Sequence, residues 1–166
     1  MSGDRYSIVP GLPPFPFETP RVPATVGRIM PDRDTTVALI RRYYDLFNAG
    51  DRPGLLALLD DAVVHDINHG VTEVGRDTFG AFLQRMDRSY AEQVEELVVM
   101  ASDDGTRAAA EFYIRGTYLA TDEGLPEATG QTYWLRVGAF FDVKDGRILR
   151  VTNYYNLNDW LRQIGA

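Results

Sequence analysis

The chain has 166 residues, 45% of them hydrophobic, and a net charge of -7 from 17 basic and 24 acidic residues. That is one domain's length with an ordinary core-forming composition. The basic residues form no cluster, which argues against a nucleic-acid or anionic-membrane footprint, and the absence of cysteine excludes disulfides and thiolate metal sites. No apolar run approaches membrane-spanning length. The start of the chain lacks the basic segment and apolar core of a secretory leader, so a cytoplasmic location is expected.

Residues 1–33 read as a separate arm. Seven of the nine prolines fall there: Pro10, Pro13, Pro14, Pro16, Pro20, Pro23 and Pro31. Proline fixes φ and removes a donor, so the arm is expected to be extended or irregular. It carries Ile8, Val9, Leu12, Phe15, Phe17 and Val22, so it is either a flexible leader or an arm wrapped on its own domain or a partner. Residues 34–166 form the single domain.

Its first element is a helix over 34–49. Asp34-Thr35-Thr36 can cap it, Val37, Leu39/Ile40, Tyr43/Tyr44 and Phe47 repeat at helical spacing, and Gly50 suits its C-cap. A short helix over about 51–59 follows. Residues 62–67 read as a strand, with Val64, Asp66 and Asn68 on one face and Val63, His65 and Ile67 on the other. A turn at 68–70, a brief return strand at 71–74 and a third helix from 75 to about 90 come next. The period then changes. Strands are expected over 94–101, 107–120, 131–143 and 147–155, with Lys144-Asp145-Gly146 as a tight hairpin turn. A last helix over 157–164 brings Trp160, Leu161 and Ile164 onto something apolar.

Helices first and a meander afterwards is the α+β pattern: a curved antiparallel sheet wrapped as a cone around the long first helix, with two or three further helices. Such a cone encloses an apolar cavity suited to a small hydrophobic molecule. On the long strand, Glu111, Tyr113 and Arg115 share one face and Phe112, Ile114, Gly116 and Tyr118 the other, and either face can line the cavity. Tyr133 and Trp134 on the next strand read as cavity wall or dimer face. In the last strand, Val151, Asn153 and Tyr155 share a face. His65 and His69 lie close to Asp66, but on a strand Asp66 points away from them and no third ligand is evident, so no metal is expected.

Tyr43-Tyr44-Asp45-Leu46-Phe47-Asn48-Ala49-Gly50-Asp51, the stretch Leu58-Leu59-Asp60-Asp61-Ala62-Val63-Val64-His65-Asp66, and the closing Gly146-Arg147-Ile148 with Val151-Thr152-Asn153-Tyr154-Tyr155 together resemble the ketosteroid isomerases and SnoaL-like polyketide cyclases of the NTF2-like superfamily. The resemblance spans roughly residues 34–157 and leaves the arm outside. It implies cofactor-independent general acid–base chemistry, isomerisation or cyclisation, on a small hydrophobic carbonyl compound, and a homodimer. It places Asp66 as the base and Tyr43 as the oxyanion donor. Ala139 stands where the isomerases have a second acidic donor. Asn153 or Tyr155 would supply the missing donor. Val64, Asn68, Tyr113, Trp134, Ala139 and Val151 are the expected pocket lining. The alternatives are a non-catalytic hydrophobic-ligand binder and a dimeric interaction domain.

Overall fold

The computed structural model describes residues 32–68 and 70–165, so the proline-rich arm and His69 lie outside the described residues. The elements follow the expected order: α1 (Arg33–Ala49), α2 (Arg52–Leu56), β1 (Leu59–Asp66), β2 (Thr72–Val74), α3 (Arg76–Ser89), β3 (Tyr90–Ala101), β4 (Arg107–Tyr118), β5 (Thr132–Lys144), β6 (Arg147–Tyr155) and α4 (Leu157–Ile164). Asp32, rather than Asp34, caps α1 by accepting from the Thr35 N–H at 2.7 Å, and Gly50 ends the helix in the left-handed region at φ 69°. β3 begins at Tyr90, four residues before the apolar run suggests, because α3 passes into it without a loop.

The six strands form one curved, unclosed sheet in the order β2-β1-β6-β5-β4-β3. All neighbours are antiparallel except β1 and β6, which run parallel. Helices cover one face, here called inner. Tyr43 and Tyr44 of α1 meet Phe141 edge-on at 5.8 and 6.1 Å, and Tyr44 also meets Phe112 at 4.8 Å. Those four rings are buried, so the centre of the cone beneath α1 is packed core. The registers set out the inner face as rows across the sheet. One runs Ala108–Phe141–Val151–His65, the next Ala110–Ala139–Asn153, a third Phe112–Val137–Tyr155, and near the far end Glu92–Gly116–Tyr133.

Two irregularities keep the apolar residues inward. Between Glu95 and Val98 the register of β3 shifts, with Glu96 at φ 55°. The extra residue flips the alternation, so Tyr90, Glu92 and Val94 before the bulge and Val99 and Ala101 after it share the inner face. A second shift between Asp142 and Val143 does the same for Ile148 and Val151 of β6. No described helix is long and apolar enough to cross a membrane.

Candidate functional site

β1 turns the other way from the sequence expectation. Val63 and His65 are the inner residues, 0% and 2% exposed, and Val64 and Asp66 face outward. The reason is the row to which each belongs: His65 pairs with buried Val151, whereas Asp66 pairs with Thr152. The Asp66 carboxylate accepts from Arg150 Nη1 at 2.5 Å, from Thr152 Oγ1 at 2.9 Å and from Thr72 Oγ1 at 2.9 Å. Burial pushes its pKa up, but those hydrogen bonds outweigh it and hold the carboxyl below its usual value. Such a carboxylate is engaged by three donors on the outer face.

The other expected site residues divide in the same way. Ala139, Val151, Asn153 and Tyr155 share the inner face, and Tyr43 packs onto that face against Phe141. Tyr113 and Trp134 do not: their rings stack on the outer face at 4.9 Å, and Trp134 is 41% exposed. They sit on the outward phase of β4 and β5 because Phe112, Ile114, Tyr133 and Leu135 take the core. Asn68 neither lines the interior nor orients Asp66. Its Oδ1 accepts from the Tyr155 N–H at 3.2 Å and ties the end of β1 to β6. Among the described residues no three His, Asp or Glu side chains gather in a metal-binding arrangement.

His65, set by the sequence reading on the face opposite Asp66, is the inner polar group of β1. Its ring lies 4.4 Å from Phe79 and 4.6 Å from Phe82 of α3. Its Nδ1 is 4.0 Å from Glu73 Oε2, and both atoms are buried without a hydrogen-bond partner among the described residues. Burial pulls its pKa down to about 4, against the opposing charges of Glu73 and Asp66 and with the help of Arg85. It is a neutral histidine at ordinary pH.

A buried carboxyl–phenol pair lies at the far end of the inner face. Glu92 of β3 and Tyr133 of β5 flank Gly116 of β4, and the Tyr133 hydroxyl donates to Glu92 Oε1 across it at 2.5 Å. Burial pushes the Glu92 pKa up, while the Tyr133 hydrogen bond and the Arg52 charge pull it back. Burial followed by the Glu92 charge raises Tyr133 and Tyr155, so both phenols stay protonated donors. Trp160 of α4 closes the cluster, its ring 5.8 Å from Tyr90, 6.2 Å from Tyr133 and 6.4 Å from Tyr155. Tyr90 stacks on Tyr118 at 5.3 Å and donates to Asp122.

One groove reaches Glu92, and a second lies on the outer side of the same strands. The first, of about 290 Å³, is lined by Glu92 with Phe47, Asn48, Arg52, Asp87 and Tyr90. The other, of about 430 Å³, is lined mainly by the outward residues Arg115, Thr117, Thr132 and Trp134, with Gln163 and the strand segments at Gly116 and Tyr133. At the rim of the first, Arg52 donates to Asp87 through Nε at 3.0 Å and Nη2 at 2.6 Å. A carboxyl whose pKa burial raises, beside a phenol donor, can take a proton from carbon and return it elsewhere. The sequence carried a usable sign of it: Tyr90, Glu92 and Val94 alternate as a strand face, and Gly116 and Tyr133 fall opposite Glu92 once the strands are paired.

The model of the SnoaL-like domain matches residues 40–151. The chain belongs to the SnoaL-like domain family. This SnoaL-like protein is 55% identical to a candidate polyketide cyclase of Pseudomonas putida KT2440, over 78% of its own length and 98% of the other, with a TM-score of 0.77. It is 53% identical to a candidate polyketide cyclase of Xanthomonas campestris pv. campestris, over 80% and 98% of the two chains, with a TM-score of 0.79. An NTF2-like protein of Burkholderia pseudomallei K96243, 20% identical over 80% and 98% with a TM-score of 0.64, shares the fold. No curated protein matches the sequence. The NTF2-like architecture and the family resemblance read from the two long motifs are thereby established.

Proposed function

We propose that this SnoaL-like protein is a cofactor-independent enzyme performing isomerisation or cyclisation of a small hydrophobic carbonyl compound by general acid–base chemistry. The observation that carries the reading is the Glu92–Tyr133 pair: a carboxyl with a raised pKa, hydrogen-bonded to a phenol, inside a wall of aromatic rings and open to a groove. Glu92 is the proposed base, abstracting a proton from the carbon next to the carbonyl. Tyr133 is the proposed donor to the oxygen on which charge develops, with Tyr155 beside it. The likeness to candidate polyketide cyclases supports this class of chemistry.

The test needs no knowledge of the product. Small hydrophobic ketones are incubated with the protein in deuterated water, and exchange at the carbon next to the carbonyl is followed by NMR. Glu92→Gln is expected to slow the exchange by roughly a hundredfold or more, the usual scale of a general base. Asp66→Asn, which changes a carboxylate engaged on the outer face, is expected to retain it. Full exchange in Glu92→Gln, or its loss in Asp66→Asn alone, would return the base to Asp66.

One observation favours the second reading, a hydrophobic-ligand binder or interaction domain. Tyr43, the expected oxyanion donor, is packed among Tyr44 and Phe141, and burial pushes its phenol well above the usual range. A ligand held by the grooves without exchange would support it. We also propose that the protein is a cytoplasmic homodimer joined through the outer sheet face, where Phe140, Tyr154, Trp134, Val98 and Met100 are exposed.

A further inference from the structure

We propose that Gly116 is the positioning residue of the Glu92–Tyr133 pair, its missing side chain being the space through which the two groups meet. The assignment rests on the reading of that pair as the reactive one, and it concerns how the pair is built. Glycine in the interior of a central strand weakens the strand, since it adds no packing and loses more backbone entropy than any other residue. Gly116 lies near the end of β4 but is still paired on both sides, opposite Glu92 and opposite Tyr133. Its backbone is not in the left-handed region, so no turn demands glycine there. What demands it is room.

A Cβ on Gly116 would lie 2.1 Å from Tyr133 Cζ, 2.2 Å from Cε2 and 2.5 Å from the hydroxyl oxygen. The Tyr133 ring is laid flat over the bare backbone of β4, and only in that pose does its hydroxyl reach Glu92 on the strand beyond. Any side chain at residue 116 lifts the ring and separates phenol from carboxyl. The other glycine of the sheet interior, Gly138 on β5, has nothing within 4 Å of its hypothetical Cβ. It serves as an internal comparison: the same loss of strand propensity, with no ring above it.

The experiment follows the Glu92 carboxyl directly, by NMR titration of protein carrying side-chain ¹³C-glutamate, with Glu92→Gln assigning the signal. The Tyr133 bond pulls the Glu92 pKa down. Tyr133→Phe is therefore expected to move the midpoint upward in the parent protein and to produce no further movement in a Gly116→Ala background. Gly138→Ala is expected to leave the Glu92 midpoint where it is. A parental midpoint in Gly116→Ala, or a full Tyr133→Phe shift in that background, would overturn the assignment. If Gly116→Ala does not fold, Gly116→Ala with Tyr133→Ala, which removes the ring the new methyl strikes, is expected to fold; failure of the double variant would overturn it equally. The titration is independent of turnover, so positioning can hold even if the exchange assay rejects Glu92 as the base.

Discussion

His65 shows how one buried side chain ties this fold to pH. Its side chain is 3% exposed, and burial places its pKa near 4, below the ordinary 6.5. A histidine with a depressed folded-state pKa stabilises the protein fully above its unfolded value. That stability is lost as pH falls from about 6.5 toward 4. The difference corresponds to roughly 3 kcal/mol. Urea unfolding at a series of pH values should show parent and His65→Leu diverging by about that amount across this window, the variant being the less pH-dependent. Equal slopes would mean that His65 is charged or solvated in the fold. At the same scale, Asp66 and Glu92 differ in how the fold treats their charge. The acid with the family-like spacing is paired to Arg150, and the one without it is the acid whose charge is disfavoured.

At the scale of elements, two amide side chains act as pieces of strand. Asn48, at the end of α1, donates from Nδ2 to the Val94 carbonyl at 2.9 Å and accepts from the Val94 N–H at 2.8 Å. Gln163 of α4 makes the same pair of bonds with Trp134, accepting at 2.8 Å and donating at 3.1 Å. In each case a side-chain amide takes the place of a missing ladder neighbour, so a helix end is locked to the sheet. Asn48→Ala removes two bonds at once and is expected to lower stability by about 2 kcal/mol, at about 1 kcal/mol per bond. Chemical denaturation checks this, and an unchanged midpoint would show water replacing the amide. Asn48 was legible as the polar residue of a helix-ending turn. Its partner was not, because Val94 lies 46 positions away and reaches it only after the sheet has curved.

For the whole molecule, the sheet separates two surfaces of different character. The inner one is covered by α1, α3 and α4. The outer one carries exposed rings, such as Phe140 against Tyr154 at 5.9 Å, and charge pairs such as Arg136 with Glu111 at 2.6 Å and Arg115 with Glu95 at 2.5 Å. An apolar patch with both signs of charge around it has the chemistry of a surface that pairs with a second copy of itself. Sedimentation velocity is expected to show a dimer, and Phe140→Glu a shift to monomer with unchanged far-UV circular dichroism. A monomeric parent at working concentration would exclude this face as the interface.

The sequence by itself determined the order of elements, the α1 stripe of Ile40, Tyr43, Tyr44 and Phe47, the Asp145-Gly146 hairpin and the family. Each is a local pattern, and local patterns depend on spacing alone. It could not determine which face of β1 is inward, since Val63 and Val64 offer the core equally good side chains and a one-residue change of phase exchanges His65 for Asp66. Nor could it show Glu92 with Tyr133, which are 41 positions apart and meet over a glycine. Tertiary structure decided both, because strand pairing and bulges set the rows, and the rows decide which polar groups lose water and therefore change their chemistry.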